Sequence, residues 1–197
     1  AVMKKSMHTG VSKPVHSLSG LLRGNAFKFS EWLKTKPQPV SGKILGTAVA
    51  RAMAVGEVNA SMGCIVATPT AGSAGVLPAV LTSIQDAFQL SDEKVVRALF
   101  TAGQVGRVII SRAHVSGAAG GCQAETGSAA AMAAAAGVEL LGGTPRQSAH
   151  ALAIALQNML GLVCDPIAGL VEVPCVLRNA GATSQSMVAI DLALAGI

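Results

Sequence analysis

ETGSAAAMAAAAGVELL (residues 125–141), followed by Gly142-Gly143-Thr144-Pro145, is the stretch that sets the fold class. Alanine is the strongest helix former and loses no side-chain entropy on ordering, so this run, nearly free of bulk, reads as one helix. The two glycines stop it. Thr144 as N-cap and Pro145 in the first helical position start another. That second helix carries Leu152, Ala155, Leu156 and Met159 and ends at Cys164-Asp165-Pro166. VEVPC (171–175) reads as extended, and a last helix is expected over about Ala182–Ala195.

Upstream, Ile44–Val55 reads as a small-residue helix. The loop from Thr68 to Gly75 (TPTAGSAG) leads into a helix ending near Phe88. Ser91-Asp-Glu-Lys94 has an N-cap serine and acidic residues in its first turn, which predicts a helix from Asp92 to about Ala102. Val95, Val96, Leu99 and Phe100 are expected on one face of it. VGRVII (105–110) is apolar and β-branched, and pattern does not separate helix from strand there. Gly117–Gly121 is expected as a flexible turn into Cys122. Residues 1–43 are polar and basic, punctuated by Gly20, Gly24, Pro37 and Pro39. With no recurring strand–helix alternation, the expected fold is all-α. It is read as a compact bundle of small-residue-rich helices with Gly/Pro-rich loops at the active site.

Composition narrows the function classes. Hydrophobic residues make up 51% of the 197 and charged ones 13%, so burial must be thorough. The longest charge-free run, 58–85, exceeds the ~20 residues of a membrane span, but Asn59, Pro69, Pro78 and several glycines interrupt it. No membrane association is expected. The formal charge of +5 gathers toward the N-terminal end, and four Phe, one Trp and no Tyr provide little for stacking on bases. Nucleic acid is therefore not an expected partner. AVMKKSMHTG at the start lacks the apolar segment of a signal peptide. The expected location is cytoplasmic, with cysteines as reduced thiols or ligands. Because the sequence begins at Ala1 and stops within MVAIDLALAGI, it is read as a fragment of something longer.

Three cysteines carry the chemistry: Cys122 in GAAGGCQAE, Cys164 in GLVCDPIAGL and Cys175 in VEVPC. Three suits a metal or cluster held at three corners with a fourth position open to substrate. Their separations match no short zinc or ferredoxin pattern, and buried structural thiols remain the other reading. Cys64, in the apolar run GCIVA, is expected to be a core thiol. TPTAGSAG offers hydroxyls and backbone N–H groups to a carboxylate or phosphate, without a Walker or dinucleotide signature. His8, His16 and His114 are candidate bases, whereas His150 is expected to serve packing or the surface.

SGAAGGCQAETGSAAAMAAAAGVELLGGTP, NMLGLVCDPIAGLVEVPCVLRNA and ATPTAGSAGVLPA together closely resemble the iron–sulfur-dependent L-serine dehydratases, in their catalytic α domain or chain. The resemblance covers about residues 40–197, and SGLLRGNAFK looks like a diverged family motif. It implies a [4Fe–4S] cluster on Cys122, Cys164 and Cys175, acting as an open-site Lewis acid. The implied reaction turns L-serine into pyruvate and ammonia without pyridoxal phosphate. Thr68, Thr70, Gly72 and Ser73 would then hold the substrate carboxylate, with Asn179 orienting substrate or cluster. It further implies a separate β chain or domain, absent from this sequence, and homo-oligomerisation. The whole of residues 1–197 is read as an α-type catalytic domain lacking its N- and C-terminal parts. One departure stands out: Arg112-Ala-His-Val-Ser-Gly117 replaces the family's N-A-S-I-S-G, with Arg112 and His114 in place of Asn and Ser. A cluster-free scaffold or partner subunit of the same fold is the alternative.

Overall fold

A computed structural model describes residues 1–197 and contains eight α-helices and no strand. They are α1 (Val2–Ser12), α2 (Asn25–Thr35), α3 (Gly42–Ala60), α4 (Val76–Phe88), α5 (Asp92–Arg112), α6 (Gly117–Leu140), α7 (Pro145–Gln157) and α8 (Cys175–Leu194), with a short 3-10 turn at Ile167–Gly169. The all-α expectation is met. No helix is long and apolar enough to cross a membrane.

The alanine-rich run forms the axis. From Thr126 to Val138 every residue of α6 is buried, and α4, α5, α7 and α8 pack around it. A helix buried on all sides satisfies its own backbone N–H and C=O groups, which makes it the form able to run through a core without water. Small side chains then let the neighbours approach closely. Met132 lies against Gly106 of α5, and Ile190 of α8 against Gly137. Two buried hydroxyls bond α6 carbonyls: Ser148 Oγ donates to Ala135 O (3.1 Å) and Ser186 Oγ to Ala130 O (3.2 Å). No buried side-chain polar atom is left without a partner.

A second layer is organised by α3, which packs against α1, α2, α4 and α8. Glu57 of α3 is fully buried and caps α2 from a distance. Its Oε1 accepts from the Asn25 N–H (2.6 Å) and its Oε2 from the Ala26 N–H (3.2 Å). Burial raises the Glu57 pKa, and the two backbone hydrogen bonds and the His16 charge only partly oppose it.

The capping signals are where the sequence puts them. Ser91 accepts from the Lys94 N–H, and Thr144 with Gln147 forms a reciprocal capping box. Other boundaries differ. VGRVII continues α5 as helix. The buried stripe of α5 is Val95, Ala98, Leu99, Ala102, Val105 and Gly106, at helical spacing; Val96 and Phe100 are 51% and 73% exposed, so the four-residue face is not the buried one. The last helix begins at Cys175, seven residues before the expected start. The basic N-terminal region holds α1 and α2. Cys64 is exposed rather than a core thiol, because the chain leaves α3 in extended form. Alternation there turns Ile65 in against Met7, Val55 and Ala74 and leaves Cys64 and Val66 outside.

Two glycines give opposite expectations. A Cβ on Gly75 would lie 2.3 Å from the Ala52 carbonyl oxygen, so Gly75→Ala should lower stability by about 1–3 kcal/mol. Gly103, inside α5, faces open space, and Gly103→Ala should raise it by roughly 0.5–1 kcal/mol. Denaturant midpoints of the two variants check both signs. For Glu57, a folded-state pKa raised above the ordinary carboxylate value of 4.5 means that its contribution is fully present below pH 4.5 and is lost as pH rises through the folded value. Wild-type stability relative to Glu57→Gln should therefore fall with rising pH, measured by denaturation across that range.

Candidate functional site

The site forms where three breaker-rich segments meet at the start of α8. Within α6 the helix breaks once, at Gly121 (φ 78°, ψ 175°), a conformation essentially confined to glycine. A Cβ there would also lie 2.6 Å from the Leu162 carbonyl oxygen. The break is tied to the 158–174 loop: the Gln123 N–H donates to Leu162 O (2.9 Å), and the Gly161 N–H donates to Gln123 Oε1 (2.9 Å). Cys122 directly follows the break and is 3% exposed.

Arg178 of α8 joins this corner to the next. Its Nη1 donates to Cys122 Sγ (3.1 Å) and Val163 O (2.8 Å) and pairs with Asp165 Oδ1 (2.7 Å). It therefore brackets Cys164, whose thiol is exposed in the same loop. Burial works against the Arg178 charge, yet the hydrogen bonds to Cys122 and Asp165 prevail and raise its pKa. Cys175 is the first residue of α8 and is half-buried. Burial first, then the nearby Cys122, Glu125 and Cys164, pushes its pKa up to about 11. The three thiols are thus electrostatic neighbours, although no three His, Cys, Asp or Glu side chains meet closely enough to enclose a single metal ion.

The 68–75 loop forms the adjoining wall. Thr68 is buried, and its carbonyl accepts from Ser73 Oγ (3.4 Å). Ser73 is fully buried, its hydroxyl 3.0 Å from Thr70 Oγ1. The backbone N–H groups of Thr70, Ala71, Gly72 and Ser73 make no hydrogen bond within the chain. Asn179 holds the loop in place. Its Nδ2 donates to Gly72 O (2.7 Å) and Cys175 O (2.9 Å), and its Oδ1 accepts from the Gly75 N–H (3.1 Å). At 1% exposure, Asn179 contacts the loop and the first turn of α8.

The three candidate histidines lie on separate segments. His8 lines a groove on α1 with Arg51, Thr82 and Asp86. His16, exposed, pairs in a short antiparallel bridge with Arg23, in the region whose Ser19 Oγ donates to the buried Glu172 (2.7 Å). His114 is exposed in the linker between α5 and α6, three residues before Gly117. Arg112 ends α5 on the surface.

Sequence reading passed over Glu125 and Arg178. Thr70 Oγ1 donates to Glu125 Oε1, and the carboxylate is bracketed by Gly72 and Gly117, where an added Cβ would come within 2.7 Å of each oxygen. The available signal was its isolation: Glu125 is the only carboxylate between residues 113 and 138. Arg178 had no comparable signal, because its partners lie 15 and 56 residues away.

Asn179→Asp replaces the amide donor with an oxygen facing two carbonyls. It should cost on the order of 1–3 kcal/mol in denaturation and speed hydrogen exchange at the Gly75 amide. Unchanged exchange would mean that the loop is held by other contacts.

The family model described as "Serine dehydratase alpha chain" matches residues 1–197. The motif resemblance covers about residues 40–197 with a diverged motif at residues 19–28, and the family match takes in the whole of α1 and α2 as well. The chain is 54% identical over 197 residues to a Bacillus subtilis (strain 168) protein named "Probable L-serine dehydratase, alpha chain", covering 100% of this chain and 65% of that one. It is 51% identical over 158 residues to the "L-serine dehydratase, alpha chain" of Peptoniphilus asaccharolyticus, covering 80% and 54%. Against "L-serine dehydratase TdcG" of Escherichia coli (strain K12) it is 46% identical over 131 residues, covering 66% and 29%. The chain spans just under two thirds of the Bacillus protein and less of the other two. A match along its whole length, over a site built from the same motifs, assigns this chain to the serine dehydratase alpha chain family.

Proposed function

We propose that this chain forms the catalytic α part of an L-serine dehydratase, a lyase that removes water from L-serine. The product 2-aminoacrylate tautomerises to the imine, and hydrolysis then gives pyruvate and ammonia. The observation that carries the reading is the meeting of three cysteine-bearing segments with a loop of free backbone donors at one end of α8. The names of the relatives supply the substrate. Their designation as alpha chains supports a β chain as partner.

The donor set fits an iron–sulfur cluster. Three thiols come from three separate breaker-rich segments, and burial first, then their proximity to one another and to Glu125, opposes ionisation of Cys175. Bound iron favours the thiolate form and offsets that repulsion. Cys122, Cys164 and Cys175 would hold a [4Fe–4S] cluster. When bound, it would supply Lewis acidity toward the serine hydroxyl at the iron that lacks a cysteine.

The chain's own residues perform the rest. The amides of Thr70–Ser73 donate to the substrate carboxylate, as successive N–H groups do to anions. Thr70 and Ser73 fix the loop through their hydroxyls, while Asn179 locks it to the turn bearing Cys175. Arg178 holds Cys122 and the Cys164 loop in register and places positive charge among the thiols. Removing the α-proton requires a base, and His114, on the linker entering the site, is the histidine nearest to it in sequence.

The experiment is anaerobic iron–sulfur reconstitution of the complete α chain with its β partner, followed by iron analysis and a serine-to-pyruvate assay. Replacing Cys122, Cys164 or Cys175 with Ser should each abolish bound iron and turnover. Cys64→Ser, in the exposed extended segment after α3, should keep both within about twofold. A wild-type assembly that takes up no iron would sink the cluster assignment and favour the cluster-free scaffold.

A further inference from the structure

Glu125 is a half-buried carboxylate without a cation. The four ion pairs of the chain are Lys4–Asp92, Lys34–Glu31, Arg51–Asp86 and Arg178–Asp165, and none includes it. Arg178, the cation of this site, is already engaged by Cys122, Val163 O and Asp165. Glu125 instead stands beside three thiols and accepts only from the Thr70 hydroxyl. A half-buried carboxylate without a cation partner is stabilised when a cation arrives with the ligand.

Glycine backbone packs closely on both oxygens of Glu125: a Cβ on Gly72 would lie 2.7 Å from Oε1 and one on Gly117 2.7 Å from Oε2. Gly72 also lies in the run of four free amides, so an acceptor of positive charge and a cradle for negative charge adjoin at one residue. An α-amino acid carries those two charges on neighbouring groups of one carbon.

Resting on the dehydratase reading, we propose that Glu125 binds the α-ammonium group of the substrate and makes the site selective for α-amino acids over α-hydroxy acids. The carboxylate lies in the 70–73 amides, the ammonium donates to Glu125, and the hydroxyl-bearing carbon turns toward the cysteines. Thr70 links the two subsites, because its hydroxyl orients Glu125 from within the carboxylate loop. A ligand with a hydroxyl in place of the ammonium could still hydrogen-bond to Glu125 but would bring no compensating charge.

The test uses the complete iron-loaded α chain with its β partner, comparing L-serine with L-glycerate, which differs only in that group. KM is measured for L-serine and Kd for L-glycerate by calorimetry. Glu125→Gln keeps an oxygen for the Thr70 hydroxyl and removes the charge. It should raise the L-serine KM about 10- to 100-fold while L-glycerate affinity changes by less than about threefold. Glu125→Asp keeps the charge and should retain the preference for L-serine, which also covers the case in which Glu125→Gln fails to hold iron. Equal weakening of both ligands would make Glu125 a loop-positioning residue and overturn the proposal. So would an unchanged KM, or a loss of preference in Glu125→Asp as large as in Glu125→Gln. A wild-type assembly that does not act on L-serine would instead remove the dehydratase reading beneath it.

Discussion

The lack of side-chain bulk along α6 is the constraint on which the rest of the structure depends. Thr126 to Val138 is closed in by four helices, and only small residues on the axis allow their side chains to reach across it. Ile190 occupies the space that Gly137 leaves, as Met132 occupies that of Gly106. An alanine contributes little apolar area by itself, so stability has to come from dense contact between the helices on either side. The same axis ends at the site: its N-terminal end carries Cys122 and Glu125, and the break at Gly121 sets both relative to the packed core.

Two consecutive residues of α8 connect the core to the chemistry. Arg178 reaches Cys122 and the Cys164 loop, and Asn179 reaches the 70–75 loop and the Cys175 carbonyl. Because they are adjacent on one helix, any shift of α8 moves both walls of the site together. α8 in turn packs on α3, α4, α6 and α7. The thiols are far apart in sequence and still form a unit, because each segment is pinned to a rigid helix by hydrogen bonds that leave little freedom of register.

Local chemistry made much of this legible in the sequence. The caps at Ser91 and Thr144, the stop at Gly142-Gly143 and the loop before α4 all follow from interactions within four residues, which a linear reading can see. The start of α8 escaped because Val173-Pro174 reads as extended, and only packing of Val176 and Asn179 against other elements draws the helix back to Cys175. The buried face of α5 escaped for a related reason. Val96 and Phe100 are more hydrophobic than Ala98 and Ala102, but against an alanine axis it is the small residues that fit. Within the site, the cysteine segments and the TPTAGSAG loop carried recognisable composition. Glu125 and Arg178 act through partners distant in sequence, and nothing local marks such pairing.

Departures from ordinary chain behaviour also separate structural from functional positions. Met62 and Gln89 have positive φ, but each lies just beyond or at the end of a helix, where left-handed residues close the last turn. Gly121 within α6 and Ala168 (φ 54°) in the loop between Cys164 and Cys175 have no such excuse. The four unpartnered amides at 70–73, the unpaired Glu125 and the raised Cys175 thiol belong to the same neighbourhood. Each is unfavourable alone, and a fold selected for stability alone would have no reason to collect them in one place. Their concentration at the α8 N-terminus is a physical argument for the site independent of the family's motifs, and it extends the site from the cysteines to the carboxylate facing them.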